Sequence, residues 1–148
     1  MSIAPDLEGD IAPTSELWEL YTNGASGPEG AATSLLLTGP YKEEHTYALR
    51  FNFKVTNNEA EYEALLAGVR LDKETGVKKL QVYIDSQLVA NQINGIFDAH
   101  DEGMQAYLDL ARSLINEFDD FQISQIPRCQ NKQADVLSKL VALMFNHL

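Results

Sequence analysis

Residues 82–87 read Val-Tyr-Ile-Asp-Ser-Gln, a short apolar strand that ends on a carboxylate just where a helix can begin. A buried strand that delivers Asp85 to its own carboxyl end is typical of open α/β sheets, which bind ligands in the crevice at that edge. Side chains that can join Asp85 at this edge are therefore the candidates for function.

Composition limits what the chain can be. With 148 residues and 45% hydrophobic content, one compact domain with a genuine core is expected. Cys129 is the only cysteine, which excludes an internal disulfide framework and a cysteine zinc cluster. No apolar run approaches the roughly 20 residues of a membrane helix, so we predict a soluble, intracellular protein, cytoplasmic or nuclear, without a membrane partner. The net charge of −11 argues against a general polyanion binder, which carries a basic face.

The order of elements predicts the fold class. Residues 1–15 are predicted to form a flexible acidic leader, and residues 16–146 the folded domain. Strands are predicted over 17–22, 31–38, 44–53, 79–84 and 121–126, helices over 56–75, 86–94, 101–118 and 131–145, and a turn-rich stretch over 23–28. This βββαβααβα order predicts an α/β protein with one mixed five-stranded sheet. Three antiparallel strands come first, parallel strands follow, and helices lie on both faces.

Two local signals organise the middle of the chain. Residues 56–59, Thr-Asn-Asn-Glu, match a capping box at a helix start, and Gly76 is a helix stop. Because a connection from strand through helix to parallel strand is almost always right-handed, the fourth strand can lie beside the first and parallel to it. Asn23 and Asp85 would then end neighbouring strands. Glu61 in the first helix and Asp135 in the last could complete the set.

Three blocks of sequence resemble the ribonuclease H domain of plant gypsy-type LTR retrotransposon polyproteins. They are Thr-Asn-Asn-Glu-Ala-Glu-Tyr-Glu-Ala-Leu-Leu-Ala-Gly at 56–68, Ile-Asp-Ser-Gln-Leu-Val at 84–89, and Ile-Pro-Arg at 126–128 with Asn-Lys-Gln-Ala-Asp at 131–135. The likeness covers 17–143. It implies a ribonuclease H-like fold and metal-dependent endonucleolytic hydrolysis of the RNA strand of RNA/DNA hybrids. The implied partner is the reverse transcriptase portion of a parent polyprotein, and no small-molecule cofactor is implied.

The resemblance also implies four acidic catalytic and metal-binding positions, of which this chain matches Glu61, Asp85 and Asp135. The fourth position holds Asn23, where the family motif has Asp. Two-metal hydrolysis needs ligands that hold two Mg²⁺ ions, for which Mn²⁺ can substitute, about 3.5–4 Å apart, and carboxylates suit such hard cations. A neutral Asn offers one good acceptor oxygen and is a poor bridge between two ions. Impaired cleavage is therefore expected.

Substrate contacts are implied at positions that match the family around the same blocks. They are Gly24, Ser26, Asn57, Asn58, Ser86, Gln87, Arg128 and Asn131. Amides at 57 and 58 can meet the 2′-hydroxyls that distinguish RNA from DNA, or can simply cap the helix. Ser86 can likewise bind phosphate at a helix start or act only as a cap.

Two alternatives stay open. A non-catalytic module that binds nucleic acid or connects domains is supported by Asn23, while the three retained acids count against it. A different nuclease or an integrase is supported only by analogy of fold. An integrase would use three acids at another spacing and would lack the block at 56–61.

Overall fold

The computed structural model describes residues 16–27, 30–51 and 55–127, which form five strands and three helices. The elements are β1 Leu17–Gly27, β2 Gly30–Thr38, β3 Glu44–Phe51, α1 Asn57–Glu74, β4 Lys79–Ile84, α2 Gln87–Ile93, α3 Glu102–Ile115 and β5 Asp120–Gln125. This order matches the predicted one as far as β5. The predicted leader and the predicted last helix, 131–145, lie outside the described residues.

All five strands form one mixed sheet in the order β3-β2-β1-β4-β5. β1 pairs with β2 and β2 with β3 in antiparallel fashion, whereas β1–β4 and β4–β5 are parallel. The prediction that the fourth strand lies beside and parallel to the first is confirmed. The mixed sheet with helices is the predicted fold class.

The first hairpin differs from the sequence prediction. The stretch from Asn23 to Gly27 was expected to form a turn, but β1 continues through it and pairs with β2 as far as Gly27 opposite Gly30. The ladder of hydrogen bonds to β2 is a non-local interaction, and it overrides the turn propensity of these small residues. The chain therefore reverses later than predicted, and the candidate residue Asn23 lies within a strand.

The end of one helix and the exposure of one strand residue also differ from what the sequence pattern suggests. Helix α3 ends at Ile115, whereas the apolar pattern predicted a helix as far as Phe118. The Phe118 side chain is buried and meets Phe121 of β5, with ring centroids 5.9 Å apart, so its apolar character serves the core outside the helix. On the edge strand β3, Leu49 belongs to the predicted alternating apolar face, yet it is 39% exposed.

Helix α1 begins and ends as its sequence predicts. The Thr56 hydroxyl accepts the Glu59 N–H at 3.2 Å, and the Glu59 carboxylate accepts the Thr56 N–H at 2.8 Å. The predicted capping box is thus confirmed. At the other end, Gly76 has φ +88°, the left-handed conformation that favours glycine after a helix.

The described helices share one core on one face of the sheet. Leu20, Val82 and Ile123 are neighbours across β1, β4 and β5, and all are buried in a cluster that includes residues of α1, α2 and α3. The opposite face carries a stacked pair, Tyr21 and Tyr83, with centroids 4.9 Å apart. The prediction of helices on both faces is met on one face by the described helices, and the predicted helix over 131–145 lies outside the described residues. Within the described ranges, no helix is both long and apolar enough to cross a membrane.

Candidate active site

The candidate site lies where β4 ends beside the longer β1, just past the pair Thr22 and Ile84, and we call this place the notch. Pairing of β1 with β4 ends at Thr22 opposite Ile84, so Asn23 and Asp85 are the next residues along two adjacent parallel strands. β4 stops at Ile84, but β1 continues to Gly27 against β2. Beyond Ile84 the sheet therefore loses a strand, which leaves a space at the carboxyl ends of parallel strands, where α/β sheets bind ligands.

Asn23 is held in place by its backbone. Its side chain is buried, with 2% exposure, and its backbone carbonyl accepts a hydrogen bond from the Thr33 hydroxyl at 3.0 Å. Its strand partner on β2 is Ser34, which is also fully buried. Because these contacts are made to the main chain and by neighbouring residues, they do not depend on whether position 23 carries Asn or Asp.

Glu61 lies at the same level of the sheet as Asn23. A Cβ added to Gly68 of α1 would come within 2.6 Å of a Leu20 methyl carbon, so α1 crosses β1 at that point. Glu61 comes seven residues before Gly68, which is about 10 Å along the helix. Asn23 comes three residues after Leu20, which is also about 10 Å along β1. Since α1 connects the parallel strands β3 and β4, it runs antiparallel to β1, and both steps end at the notch. Glu61 is buried there, with 6% exposure.

Asn23 and Glu61 approach the notch from opposite faces of the sheet. Strand alternation puts the side chain of Asn23 on the face opposite to that of Leu20, against which α1 packs. Past the end of β4, no strand of the described residues separates the two faces on that side of β1. Side chains from either face can therefore share this space with the half-buried Asp85.

Ser86 and Gln87 follow Asp85 directly and start α2. The Ser86 hydroxyl accepts the Val89 N–H at 3.1 Å, which makes it the N-cap of this seven-residue helix. The Asp85 carbonyl receives a long hydrogen bond, 3.5 Å, from the Gln125 carboxamide of β5. The capping role of Ser86 is thus observed, and its contact with phosphate stays a prediction.

The remaining predicted substrate contacts fall into three groups. Asn57 and Asn58 are exposed in the first turn of α1. Gly24 and Ser26 lie on β1 beyond the end of β4, opposite Thr33 and Ala31 of β2. The others lie outside the described residues, together with the predicted fourth acid; they are Arg128, Asn131 and Asp135.

The donor set at the notch consists of oxygen ligands. Asn23 offers an amide oxygen, and Glu61 and Asp85 offer carboxylates, which are the donors that Mg²⁺ and Mn²⁺ prefer. In the described part of the chain, no three His, Cys, Asp or Glu side chains group so as to hold a metal. Position 23 carries an amide where the resemblance implies a carboxylate. The residues present thus fit a hard cation in donor type but carry less negative charge than four acids would.

A buried polar contact behind the notch was not predicted from the sequence. The Tyr62 hydroxyl donates to the Gln92 side-chain oxygen at 2.5 Å, and the two residues are 0% and 3% exposed. Burial raises the pKa of Tyr62 to about 12, so its hydroxyl remains a donor at neutral pH. One signal was available: Gln92 is a polar residue on the same helical face as Val89, where an apolar residue is expected.

A second tyrosine packs against the first. The rings of Tyr62 and Tyr107 stack with centroids 5.4 Å apart and planes at 12°. Burial, followed by the charge of Glu63 and a hydrogen bond to it, raises the pKa of Tyr107 to about 12. The charge that acts on the Tyr107 hydroxyl therefore belongs to α1, whereas the Tyr62 hydroxyl donates a hydrogen bond to Gln92 of α2.

The strand order and the notch define a ribonuclease H-like α/β protein. The Reverse transcriptase-like family matches residues 44–141, which is more than half of the chain. The chain belongs to this family.

Similar proteins of known structure support that assignment. RNase H1 from the archaeon Halobacterium salinarum is 31% identical, with a TM-score of 0.78, over 84% of this chain and 96% of that chain. LC11-RNase H1 in complex with an RNA/DNA hybrid is 23% identical, with a TM-score of 0.74, over 82% and 94%, a likeness of fold.

A curated relative matches a shorter part of the chain. Ribonuclease HI of Halobacterium salinarum is 38% identical over 85 residues, which are 57% of this chain and 43% of that protein. The matched segment therefore spans less than half of that relative.

Proposed function

We propose that this chain is the ribonuclease H domain of a gypsy-type retrotransposon polyprotein, and that it hydrolyses the RNA strand of RNA/DNA hybrids slowly because Asn23 replaces a catalytic Asp. The observation that carries the proposal is the register of β1 and β4, in which Asn23 and Asp85 directly follow the last residue pair of these adjacent strands, at the level of Glu61. The family membership and the sequence blocks at 56–68 and 84–89 support it.

In the proposed mechanism, Glu61, Asp85, position 23 and Asp135 are the residues that would hold two Mg²⁺ ions. The chemistry that Mg²⁺ supplies when bound is activation of a water nucleophile and stabilisation of the leaving oxygen. Asn23 weakens this arrangement because its amide is neutral and its NH₂ group is a donor, which cannot bind a cation. Asn57 and Asn58 would contact the minor groove of the hybrid, and their exposure in the first turn of α1 supports this role.

Binding of hybrid by the isolated domain is expected to be weak and sensitive to salt. The segment from Gly95 to Gly103 carries acids and no Lys or Arg, and its exposed tip is formed by Ile96 and Phe97. Such a surface cannot neutralise phosphates. Tethering to the proposed partner, the reverse transcriptase portion of the polyprotein, would hold the hybrid nearby by raising its effective concentration.

The experiment is a cleavage assay of a labelled RNA/DNA hybrid with Mg²⁺ or Mn²⁺, run on the native chain and on Asn23→Asp. Loss of partners that only orient metal ligands costs about 10–100-fold, so restoring a direct ligand should raise cleavage by at least about a hundredfold. The double variant Asn23→Asp/Asp85→Asn is the control and should lose this gain. Single-stranded RNA should not be cut. Equal rates for the native chain and Asn23→Asp would refute the role given to position 23.

A non-catalytic hybrid-binding module is the second candidate, and Asn23 is the observation that favours it. Calorimetric titration with Mg²⁺ separates the two. A surviving metal site gives heat that disappears in Asp85→Asn, whereas a module that has lost the chemistry binds hybrid by fluorescence anisotropy and gives no such heat. Hybrid binding without cleavage in Asn23→Asp would favour the module.

A further inference from the structure

A buried contact connects the two elements that carry the candidate ligands. Tyr62 directly follows Glu61 on α1, and its hydroxyl donates to the side-chain oxygen of Gln92 on α2. Helix α2 begins at Gln87, two residues after Asp85, and its seven residues span about 10 Å. A short path of covalent bonds and one hydrogen bond therefore connects Glu61, through Tyr62, Gln92 and α2, to Asp85.

Gln92 is itself fixed from other directions. Its side-chain nitrogen donates to the Asp98 carbonyl at 3.3 Å, so its oxygen is directed away from that carbonyl and toward Tyr62. The Gln92 backbone carbonyl accepts a hydrogen bond from the Arg112 guanidinium of α3 at 3.2 Å. The Tyr62 ring is held in turn by its stack on Tyr107. Contacts other than the hydrogen bond itself thus fix the orientation of both Tyr62 and Gln92.

We propose that Tyr62 and Gln92 are positioning residues, which set the separation of Glu61 and Asp85 for metal-dependent hydrolysis; this inference rests on the proposed function. Catalytic groups must be held within about 0.5 Å of the productive geometry. Two apolar side chains could fill the same space, but they would allow α2 to rotate or slide against α1. A directional hydrogen bond between buried groups allows one arrangement, because any other leaves the Gln92 oxygen without a partner.

The neighbouring tyrosine supplies a matched control. Tyr107→Phe removes a hydroxyl from the same stacked pair, but the charge that acts on that hydroxyl is Glu63 of α1, and among the described hydrogen bonds only the Tyr62 hydroxyl of this pair reaches α2. Tyr62→Phe and Tyr107→Phe therefore each delete one hydroxyl group, from two rings that stack on each other. The difference between them isolates the bond that connects α1 to α2.

The test uses the full chain with Asn23→Asp as the parent. For each variant, we would measure kcat and KM on the hybrid, the Kd of Mn²⁺ without substrate by electron paramagnetic resonance, and stability by urea unfolding. Tyr62→Phe should lower kcat about tenfold and weaken Mn²⁺ binding about tenfold, with KM within about twofold. Tyr107→Phe should leave kcat and the Mn²⁺ Kd within about twofold, even if both variants lose similar stability.

A double-mutant cycle identifies the partner. Gln92→Leu removes the acceptor, and Tyr62→Phe/Gln92→Leu should lose no more activity or Mn²⁺ affinity than the more damaging single variant, because the two side chains act through one bond. Additive losses would mean that they act independently, and would overturn the inference. The same holds if Tyr62→Phe matches its parent in kcat and Mn²⁺ Kd, or if Tyr107→Phe loses as much.

Failure of the proposed function has a different signature. If the Asn23→Asp parent does not cleave hybrid, the proposed activity fails, and the Mn²⁺ measurement still decides the positioning role. Weaker Mn²⁺ binding by Tyr62→Phe than by its parent and by Tyr107→Phe supports it, and equal binding overturns it. A parent that binds no Mn²⁺ leaves nothing to position and overturns both.

Discussion

A buried acid near the end of α1 makes this protein's stability depend on pH. Asp72 is 0% exposed, and neither carboxylate oxygen has a hydrogen-bond partner among the described residues. Burial raises the pKa of its carboxyl from the ordinary 3.8 to about 8. In the folded protein the group is therefore neutral at pH 7, whereas in the unfolded chain it is ionised. We predict that Asp72→Asn removes this dependence.

Proton linkage gives the sign and the size of this pH dependence of stability. A carboxyl with a raised folded-state pKa binds its proton more tightly in the native state, so its favourable contribution is complete below about pH 4 and is lost as the pH rises to about 8. Each unit in this window lowers the free energy of unfolding by about 1.4 kcal/mol. From pH 5.5 to 8, Asp72 should therefore cost the native protein about 3 kcal/mol. Asn cannot titrate, so the advantage of Asp72→Asn should grow by that amount.

The assay is urea unfolding followed by far-ultraviolet circular dichroism at several pH values between 5.5 and 8, above the sequence pI of about 4.5. Other groups titrate equally in both proteins, so the difference between their unfolding free energies isolates position 72. Glu74→Gln, which removes an exposed carboxylate two residues away, is the matched control and should change stability by less than about 0.5 kcal/mol at every pH. A constant difference between Asp72→Asn and the native chain would refute the reasoning.

Two further predictions concern helix α1. Thr56→Ala removes the hydroxyl that accepts the Glu59 N–H and should lower the free energy of unfolding by about 1 kcal/mol, measured by urea denaturation; an unchanged midpoint would mean that the capping box contributes nothing. Gly68→Ala should lower the Tm, because its Cβ would lie 2.6 Å from a Leu20 methyl carbon in a filled core. Adding Leu20→Val should recover part of this loss, and a Gly68→Ala protein that melts above the native chain would contradict the packing argument.

Local signals and chain handedness explain what the sequence could predict. Thr56 and Glu59 cap α1 through contacts three residues apart, and Gly76 ends it through its own backbone conformation, so each signal lies within the stretch it controls. The position of β4 beside β1 follows from the handedness of the crossover between parallel strands. These two kinds of rule predict from the sequence alone that Asn23 and Asp85 lie on adjacent strands.

Features that depend on distant partners could not be predicted in this way. Residues 23–27 look like a turn in isolation and form a strand only because β2 pairs with them. The partner of Gln92 is 30 residues away, and nothing local indicates it. Asp72 is an intermediate case: it follows Leu65 and Val69 at helical spacing on the buried face, but a charged residue is ordinarily assigned to the surface.

Trp18 gives this protein a built-in optical reporter. It is the only tryptophan, it is 9% exposed, and its ring stacks on His45 of β3 with centroids 6.3 Å apart. It lies on the same strand as Asn23, five residues earlier and so about 17 Å away. Its emission should therefore change when the part of the sheet formed by β1, β2 and β3 unfolds, and should not change when ions or nucleotides bind at the notch. Trp18 fluorescence could thus record unfolding separately from ligand occupancy.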